Sequence, residues 1–136
     1  MSADTGTYLD LPDGRIYYEV AGEGPAFLLL HDQWAAFGER HTAIRYDMRG
    51  YGRSTAPETP VSRREELYRL LEHLGVSRVT LIGCSLGGAV ALDAALERPE
   101  LVAGLVIVSA VPGGFEMQGE PPPLLLEMFG AVEQRD

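Results

Sequence analysis

The chain has 136 residues, 20 acidic and 11 basic, with a formal net charge of −9 at pH 7. This length suits one domain with its own core, and the acidic balance, with no basic cluster longer than Arg63-Arg64, argues against a nucleic-acid partner. The single cysteine, Cys84, excludes an intrachain disulfide, and without a signal peptide or a membrane-length apolar run we expect a cytoplasmic protein with no membrane partner.

The first part of the chain predicts a β-hairpin and then a buried strand. Residues 8–11 and 15–20 alternate apolar and polar side chains on either side of a proline-aspartate-glycine turn. Residues 26–30 are apolar throughout, which is typical of an interior strand in a parallel sheet. His31 follows directly at the carboxyl end of this strand.

The connection to the next strand is short. It runs from His31 to His41 and enters a strand predicted at residues 42–46, which is close to the minimum length for joining parallel strands. After that strand comes a loop, residues 47–54, that reads Asp-Met-Arg-Gly-Tyr-Gly-Arg-Ser.

A helix is predicted next, because Ser62 and Glu65 form a capping box at its start. The apolar stripe of this helix recurs at helical spacing and consists of Leu67, Leu70, Leu71 and Leu74. Gly75 ends the helix, and His73 flanks the stripe.

Residues 79–95 are the stretch that carries chemistry. An apolar run stops at Gly83, turns through Ser85 and Gly87, and continues as an alanine-rich helix, so we read strand, sharp turn and helix. In such an elbow the serine takes a strained conformation that turns its hydroxyl outward, and a Cβ at either glycine would collide with its neighbours. The backbone N–H of Leu86 would face a developing oxyanion.

The last part of the chain passes from an apolar strand to a loop rich in glycine and proline. Residues 101–109 predict another apolar strand, so that the parallel strands form a doubly wound sheet with its site at the carboxyl ends. Residues 115–123 are rich in glycine and proline, and residues 124–134 form a short predicted helix. We therefore divide the chain into a core at residues 1–114 and a loop with a short helix at residues 115–136.

The elbow and the Asp-Met-Arg-Gly-Tyr-Gly-Arg-Ser loop together resemble the α/β-hydrolase family. The similarity covers residues 8–114, the amino-terminal half of a full member, whose sheet normally has eight strands. It implies an α/β fold: a truncated α/β-hydrolase core with a mostly parallel sheet of about six strands, an amino-terminal hairpin and helices on both faces. Within the family, the motifs look most like small esterases, enol-lactone hydrolases and cofactor-free haloperoxidase relatives, so no cofactor and no metal are expected.

This resemblance implies a serine hydrolase that cleaves small carboxylic esters or lactones through an acyl-enzyme. Ser85 would be the nucleophile and the Leu86 N–H one oxyanion donor. In the family a longer loop supplies the second donor and a helix follows it. Here Asp32-Gln33-Trp34 resembles that helix, joined directly to the strand end, and Gln33 is our candidate for the second donor.

The base is the open question, because the family places its acid and histidine after the serine. All three histidines of this chain precede Ser85. Family topology puts the strand that ends at His31 beside the strand of the serine, so His31 is a candidate base, with Asp32 or Asp47 as the orienting carboxylate. The alternative is that His31 only bonds the local backbone.

Structural roles are expected for the other polar residues near these motifs. We expect His41 to be solvated near the amino end of its strand, and His73 to lie on the surface. Cys84 is expected to be a small buried residue. Asp47 and Arg49 are expected to form a carboxylate-guanidinium pair that fixes their loop.

Two further alternatives concern assembly. Residues 101–109 would leave an apolar sheet edge, and an unpaired edge invites pairing with a copy of itself, so we expect a homodimer in which the partner is a second source of histidine. The competing function is a catalytically impaired half that binds or self-associates, whether natural, a fragment or engineered.

Overall fold

The computed structural model describes residues 6–30, 38–116, 119 and 123. The elements in chain order are β1 (Thr7–Leu11), β2 (Gly14–Ala21), β3 (Ala26–Leu30), β4 (Thr42–Tyr46), α1 (Arg63–His73), β5 (Val79–Cys84), α2 (Leu86–Glu97) and β6 (Val102–Val108), with a 3₁₀ turn at Pro99–Leu101 before β6. Each strand and helix predicted within residues 8–30 and 42–109 is confirmed. The helix predicted at residues 124–134 lies outside the described residues, and the division at residue 114 stays a prediction.

The six strands form one mixed sheet in the order β1-β2-β4-β3-β5-β6. The hairpin of β1 and β2 is antiparallel and joins β4 in an antiparallel pair, whereas β4, β3, β5 and β6 run parallel. Leu30, the last residue of β3, is the register partner of Gly83 on β5. The carboxyl ends of the parallel strands therefore meet at one edge, as expected for an α/β fold with its site there.

Both described helices cover the same face of the sheet. The core under them combines alternate strand residues with the inner faces of the two helices, and its fully buried members include Leu28, Ile44, Leu67, Leu70 and Ala91. The Tyr68 hydroxyl on α1 donates to Glu97 on α2 at 2.8 Å, which joins the helices to each other. The helix expected against the second face falls within residues 31–37, outside the described residues.

The predicted boundaries of α1 are those of the structure. The Ser62 side chain accepts a hydrogen bond from the Glu65 backbone N–H, so one N–H of the first turn gains a partner. Gly75, directly after the C-cap, has a φ of 66°, a left-handed conformation that only glycine adopts without strain. No helix in the described part of the chain is long and apolar enough to cross a membrane.

Candidate active site

Ser85 stands between β5 and α2 with a backbone that L-residues rarely adopt. Its φ is 52° and its ψ is −122°, and the residue is exposed. Its backbone N–H donates to the Val108 carbonyl at 2.9 Å, which ties the turn to the end of β6. The turn thus holds a serine in a sparsely populated conformation at the carboxyl edge of the sheet, as the sequence predicted.

The glycines on either side of the serine are required by close backbone packing. A Cβ at Gly83 would lie 2.5 Å from the Gly87 carbonyl oxygen, and one at Gly87 would lie 2.7 Å from Leu30 Cβ. Gly88 is equally confined, because its Cβ would lie 2.6 Å from that of Ala110. These short approaches let the helix begin directly against the strand ends and so hold Ser85 outward.

Leu86 opens α2, so its backbone N–H belongs to the first turn of a helix. N–H groups in that turn have no acceptor four residues earlier inside the helix, and the helix dipole adds partial positive charge there. An oxyanion that forms beside Ser85 would meet this end of the helix.

Ser85 opens into a cavity of about 590 Å³. The apolar residues that line the cavity are Leu29, Leu30, Met48, Tyr51 and Leu86. Its polar lining residues are Tyr17, Glu19, Arg45, Asp47 and Arg53, and Cys84 lies next to the serine. A cavity of this size suits a small organic ligand with an apolar and a polar part.

The polar lining residues form a hydrogen-bonded chain that the sequence did not lead us to expect. Arg45 binds both carboxylate oxygens of Glu19, at 2.9 and 2.8 Å. The Tyr17 hydroxyl donates to Glu19 at 2.9 Å and accepts from Arg53 Nη1 at 2.6 Å. Glu19 and Arg45 are partners in the register of β2 and β4. Their opposite charges could have predicted an ion pair only if that register had been known.

Asp47 and Arg49 do not pair with each other, and that expectation was wrong. The Asp47 carboxylate accepts from the Arg53 backbone N–H at 2.8 Å and lines the cavity. Arg49 instead runs under α1, where Nη1 donates to the Asp13 carboxylate at 3.1 Å and Nε donates to the Thr55 carbonyl at 3.0 Å. The structural role expected for both side chains holds, but each fixes the loop through a different partner.

A buried acidic group lies beside Arg49, away from the cavity that contains Ser85. Glu66 on α1 is 4% exposed, and its carboxylate has no hydrogen-bond partner among the described residues. The Arg49 guanidinium lies 4.0 Å away. Burial raises the pKa of Glu66, and the nearby Arg49 charge only partly offsets this. The buried hydroxyl of Tyr46 also lacks a described partner, and burial raises its pKa as well.

Neither described histidine is at the cavity. The ring of His41 is partly buried against Phe27, with ring centroids 4.3 Å apart, at the amino ends of their strands, so the expectation of a solvated side chain was wrong. A flat apolar ring beside the imidazole explains the difference. His73 is exposed, as expected, and its Nε2 is 3.0 Å from the Tyr18 hydroxyl.

Cys84 is only partly buried and lines the cavity, so the expectation of a buried thiol was wrong. Side chains alternate along β5, and this places Cys84 on the face opposite α2. The candidates His31, Asp32 and Gln33 lie outside the described residues. Within the described ranges, no three His, Cys, Asp or Glu side chains are grouped as metal ligands would be.

A sequence profile described as the alpha/beta hydrolase fold matches residues 24–133, most of the chain. The chain belongs to the alpha/beta hydrolase fold family. This match spans β3 to β6, and therefore includes the elbow and the loop from which the resemblance was first inferred.

Individual relatives are hydrolases of several kinds. The chain is 35% identical over 112 residues to a soluble epoxide hydrolase of Corynebacterium sp. (strain C12), covering 73% of this chain and 39% of that protein. It is 41% identical over 94 residues to a putative carbamate hydrolase of Pseudomonas savastanoi pv. phaseolicola, covering 66% and 36%. A solved structure described as an N-acyl homoserine lactone degrading enzyme superposes with a TM-score of 0.76 at 30% identity, covering 96% of this chain and 52% of that one. The chain thus spans about a third to a half of the length of these relatives.

Proposed function

We propose that the chain is a serine hydrolase of small carboxylic esters or lactones, with Ser85 as the nucleophile. The observation that carries this proposal is the exposed, strained Ser85 at the mouth of a cavity, directly before the first turn of α2. A hydroxyl in this position reaches a bound carbonyl carbon, while the helix end faces the oxygen that gains negative charge.

The identity of the nucleophile favours carbonyl substrates over the other reactions named for relatives. Attack of a serine oxygen on an ester carbonyl expels the alcohol and leaves an acyl-serine ester, which water cleaves to release the acid and restore the hydroxyl. Attack on the saturated carbon of an epoxide or an organic halide would leave a serine ether, which water does not readily cleave. A serine elbow therefore fits turnover of esters and lactones, in keeping with the lactone-degrading enzyme named above.

The remaining roles in the mechanism are assigned to residues that were named as candidates from the sequence. The Leu86 N–H donates to the oxyanion, and we assign the second donor to Gln33. His31 follows Leu30, the register partner of Gly83, so β3 brings the chain to the level of the elbow at this point. We assign the base to His31, with Asp47 or Asp32 as its orienting carboxylate.

Hydrolysis of p-nitrophenyl butyrate tests the nucleophile. We expect the Ser85→Ala variant to lose all turnover above the buffer rate, and a phosphonate label to add to Ser85 and to no other residue by mass spectrometry. Cys84→Ala is the matched control, because this side chain lines the same cavity next to Ser85 and is expected to leave the rate within about twofold. Equal rates for Ser85→Ala and wild type would overturn the proposal.

The base is tested with the same substrate and a second pair of variants. His31→Ala should lower kcat by about 100-fold or more, as expected for loss of a general base. His41→Ala is the control, because this histidine packs on Phe27 at the opposite end of the strands. A wild-type rate for His31→Ala would remove His31 from the mechanism without affecting the assignment of Ser85.

A second candidate function is a self-associating module, and the exposed apolar residues of β6 favour it. Leu105, Val106 and Val108 are 37%, 47% and 51% exposed on a strand that has no charged residue. In the described part of the chain, β6 pairs only with β5. An apolar edge without charges is the kind of strand that pairs with another strand, so we propose that two copies join through β6.

A further inference from the structure

Tyr51 is a large aromatic residue held in the open at the rim of the cavity. It is 54% exposed and lies between two glycines. Gly50 and Gly52 have φ values of 87° and 50°, and the Tyr51 N–H donates to the Met48 carbonyl at 2.9 Å. The guanidinium of Arg63 lies 5.5 Å from the ring centroid. The loop therefore presents the ring in a defined position rather than burying it.

Leu86 and Met48 extend this apolar surface towards the nucleophile. Leu86 directly follows Ser85 and is 40% exposed, and both Leu86 and Met48 line the same cavity as Tyr51. Met48 is partly buried against the core. Apolar side chains that line one cavity beside the proposed nucleophile are typical of a ligand-binding surface. We call the set of Met48, Tyr51 and Leu86 the apolar rim.

The polar residues that line the same cavity give an apolar group no comparable place. They form the chain of charged and hydroxyl groups from Arg45 through Glu19 and Tyr17 to Arg53. Placing a hydrocarbon there would displace water from charged groups without giving them new partners, which is unfavourable. A substrate bound at Ser85 is therefore oriented, with its apolar part against the rim.

We propose that the apolar rim is a specificity site, at which the Tyr51 ring binds the apolar chain or ring of the ester or lactone. This inference rests on the proposed function and adds the class of substrate: one with an apolar group of several carbons, in preference to acetyl or methyl esters. Each methylene that leaves water against the rim adds to binding, so selectivity increases with chain length up to the end of the rim.

Two substrate series test the proposal. In the first, the leaving group is p-nitrophenol and the acyl group is acetyl or hexanoyl; in the second, the acyl group is acetyl and the alcohol is ethanol or benzyl alcohol. In each series, the preference is the kcat/KM of the ester with the larger group divided by the kcat/KM of the ester with the smaller group. We expect Tyr51→Ala to lower this ratio by about tenfold in one of the two series. Tyr51→Phe should retain the preference, because it keeps the ring.

Leu96→Ala is the control variant. Leu96 is 70% exposed near the carboxyl end of α2, so its loss removes exposed apolar surface outside the cavity and should leave both ratios unchanged. Unchanged ratios in both series for Tyr51→Ala would overturn the specificity site, while loss of turnover in Ser85→Ala would still support the nucleophile.

A binding measurement keeps the inference testable even if wild type does not hydrolyse any ester. Calorimetric titration with p-nitrophenyl hexyl ether and with p-nitroanisole, neither of which contains an ester, compares a long and a short apolar chain. We expect the hexyl ether to bind more tightly to wild type and to lose about tenfold in affinity in Tyr51→Ala. Equal affinity of the hexyl ether for both proteins would overturn the proposal.

Discussion

At the scale of single residues, Ser85 carries the backbone strain of the site. A φ of 52° with a ψ of −122° is a combination that glycine tolerates and a residue with a Cβ adopts only with strain, which typically amounts to about 1–3 kcal/mol. The glycines on either side, Gly83 and Gly87, pack so closely against their neighbours that neither has room for a Cβ. The serine at this point therefore lowers stability, which points to a use for its hydroxyl.

This strain predicts an order of stability between two variants of Ser85. Ser85→Ala and Ser85→Gly both lack the hydroxyl, but only glycine relieves the conformation, so we expect Ser85→Gly to be more stable by about 1 kcal/mol in urea unfolding. The control is Ala89→Gly within α2, where the same addition of glycine should destabilise by about 1 kcal/mol. Ser85→Gly less stable than Ser85→Ala would contradict the strain.

At the scale of elements, α1 is joined to the hairpin and to the loop by a buried charged group. Arg49 is 2% exposed and reaches both the hairpin turn, through Asp13, and the α1 residue Glu66. Because Asp13 lies on the surface, the charge that is fully enclosed with Arg49 is that of Glu66. The loop that carries Tyr51 is thus held in place by the Arg49 guanidinium. The second carboxylate near this guanidinium, that of Glu66, has no hydrogen-bond partner among the described residues.

The raised pKa of Glu66 predicts how stability depends on pH. Its ordinary value is 4.5, and between that value and the higher pKa of the folded state, the folded chain binds more protons at this site than the unfolded chain. The contribution of Glu66 to stability is therefore present in acid and is lost as the pH rises through that window. We expect Glu66→Gln, which stays neutral, to match wild type near pH 4 and to be more stable by about 1 kcal/mol at pH 8.

Urea unfolding at several pH values measures this difference. Glu72→Gln is the control, because Glu72 lies on the exposed side of the same helix and its substitution should give no comparable dependence on pH. A Glu66→Gln variant that is less stable than wild type at pH 8 would mean that the ion pair with Arg49 outweighs the burial of the carboxylate.

Elements and contacts were not equally predictable from the sequence. The elbow, the cap at Ser62 and the strands follow from local patterns, because glycine spacing, capping residues and apolar periods act within a few residues. The partner of Arg49 was assigned incorrectly, because Asp13 lies 36 positions away and only the folded hairpin brings it close. The pair of Glu19 and Arg45 was missed for the same reason, since it depends on a register that single strands do not specify.

At the scale of the whole molecule, β6 is the strand through which we propose that the chain associates. We propose pairing of two copies through this strand, and light scattering after size exclusion should give the mass of a dimer. Val106→Lys places a charge on the exposed edge and should shift the protein to a monomer without loss of secondary structure. Leu96→Lys, which adds the same charge to α2, is the control and should remain dimeric. A monomeric wild type would contradict the proposal.

The hydrogen bond from the Ser85 N–H to the Val108 carbonyl has a consequence for communication within the protein. This bond joins the backbone of Ser85 to an outer strand of the sheet, which has neighbours on one side only in the described part of the chain. If a second copy pairs with β6 as proposed, we expect it also to restrain the position of Ser85. The proposed association at the edge and the proposed reactivity of Ser85 would then be coupled through this one hydrogen bond.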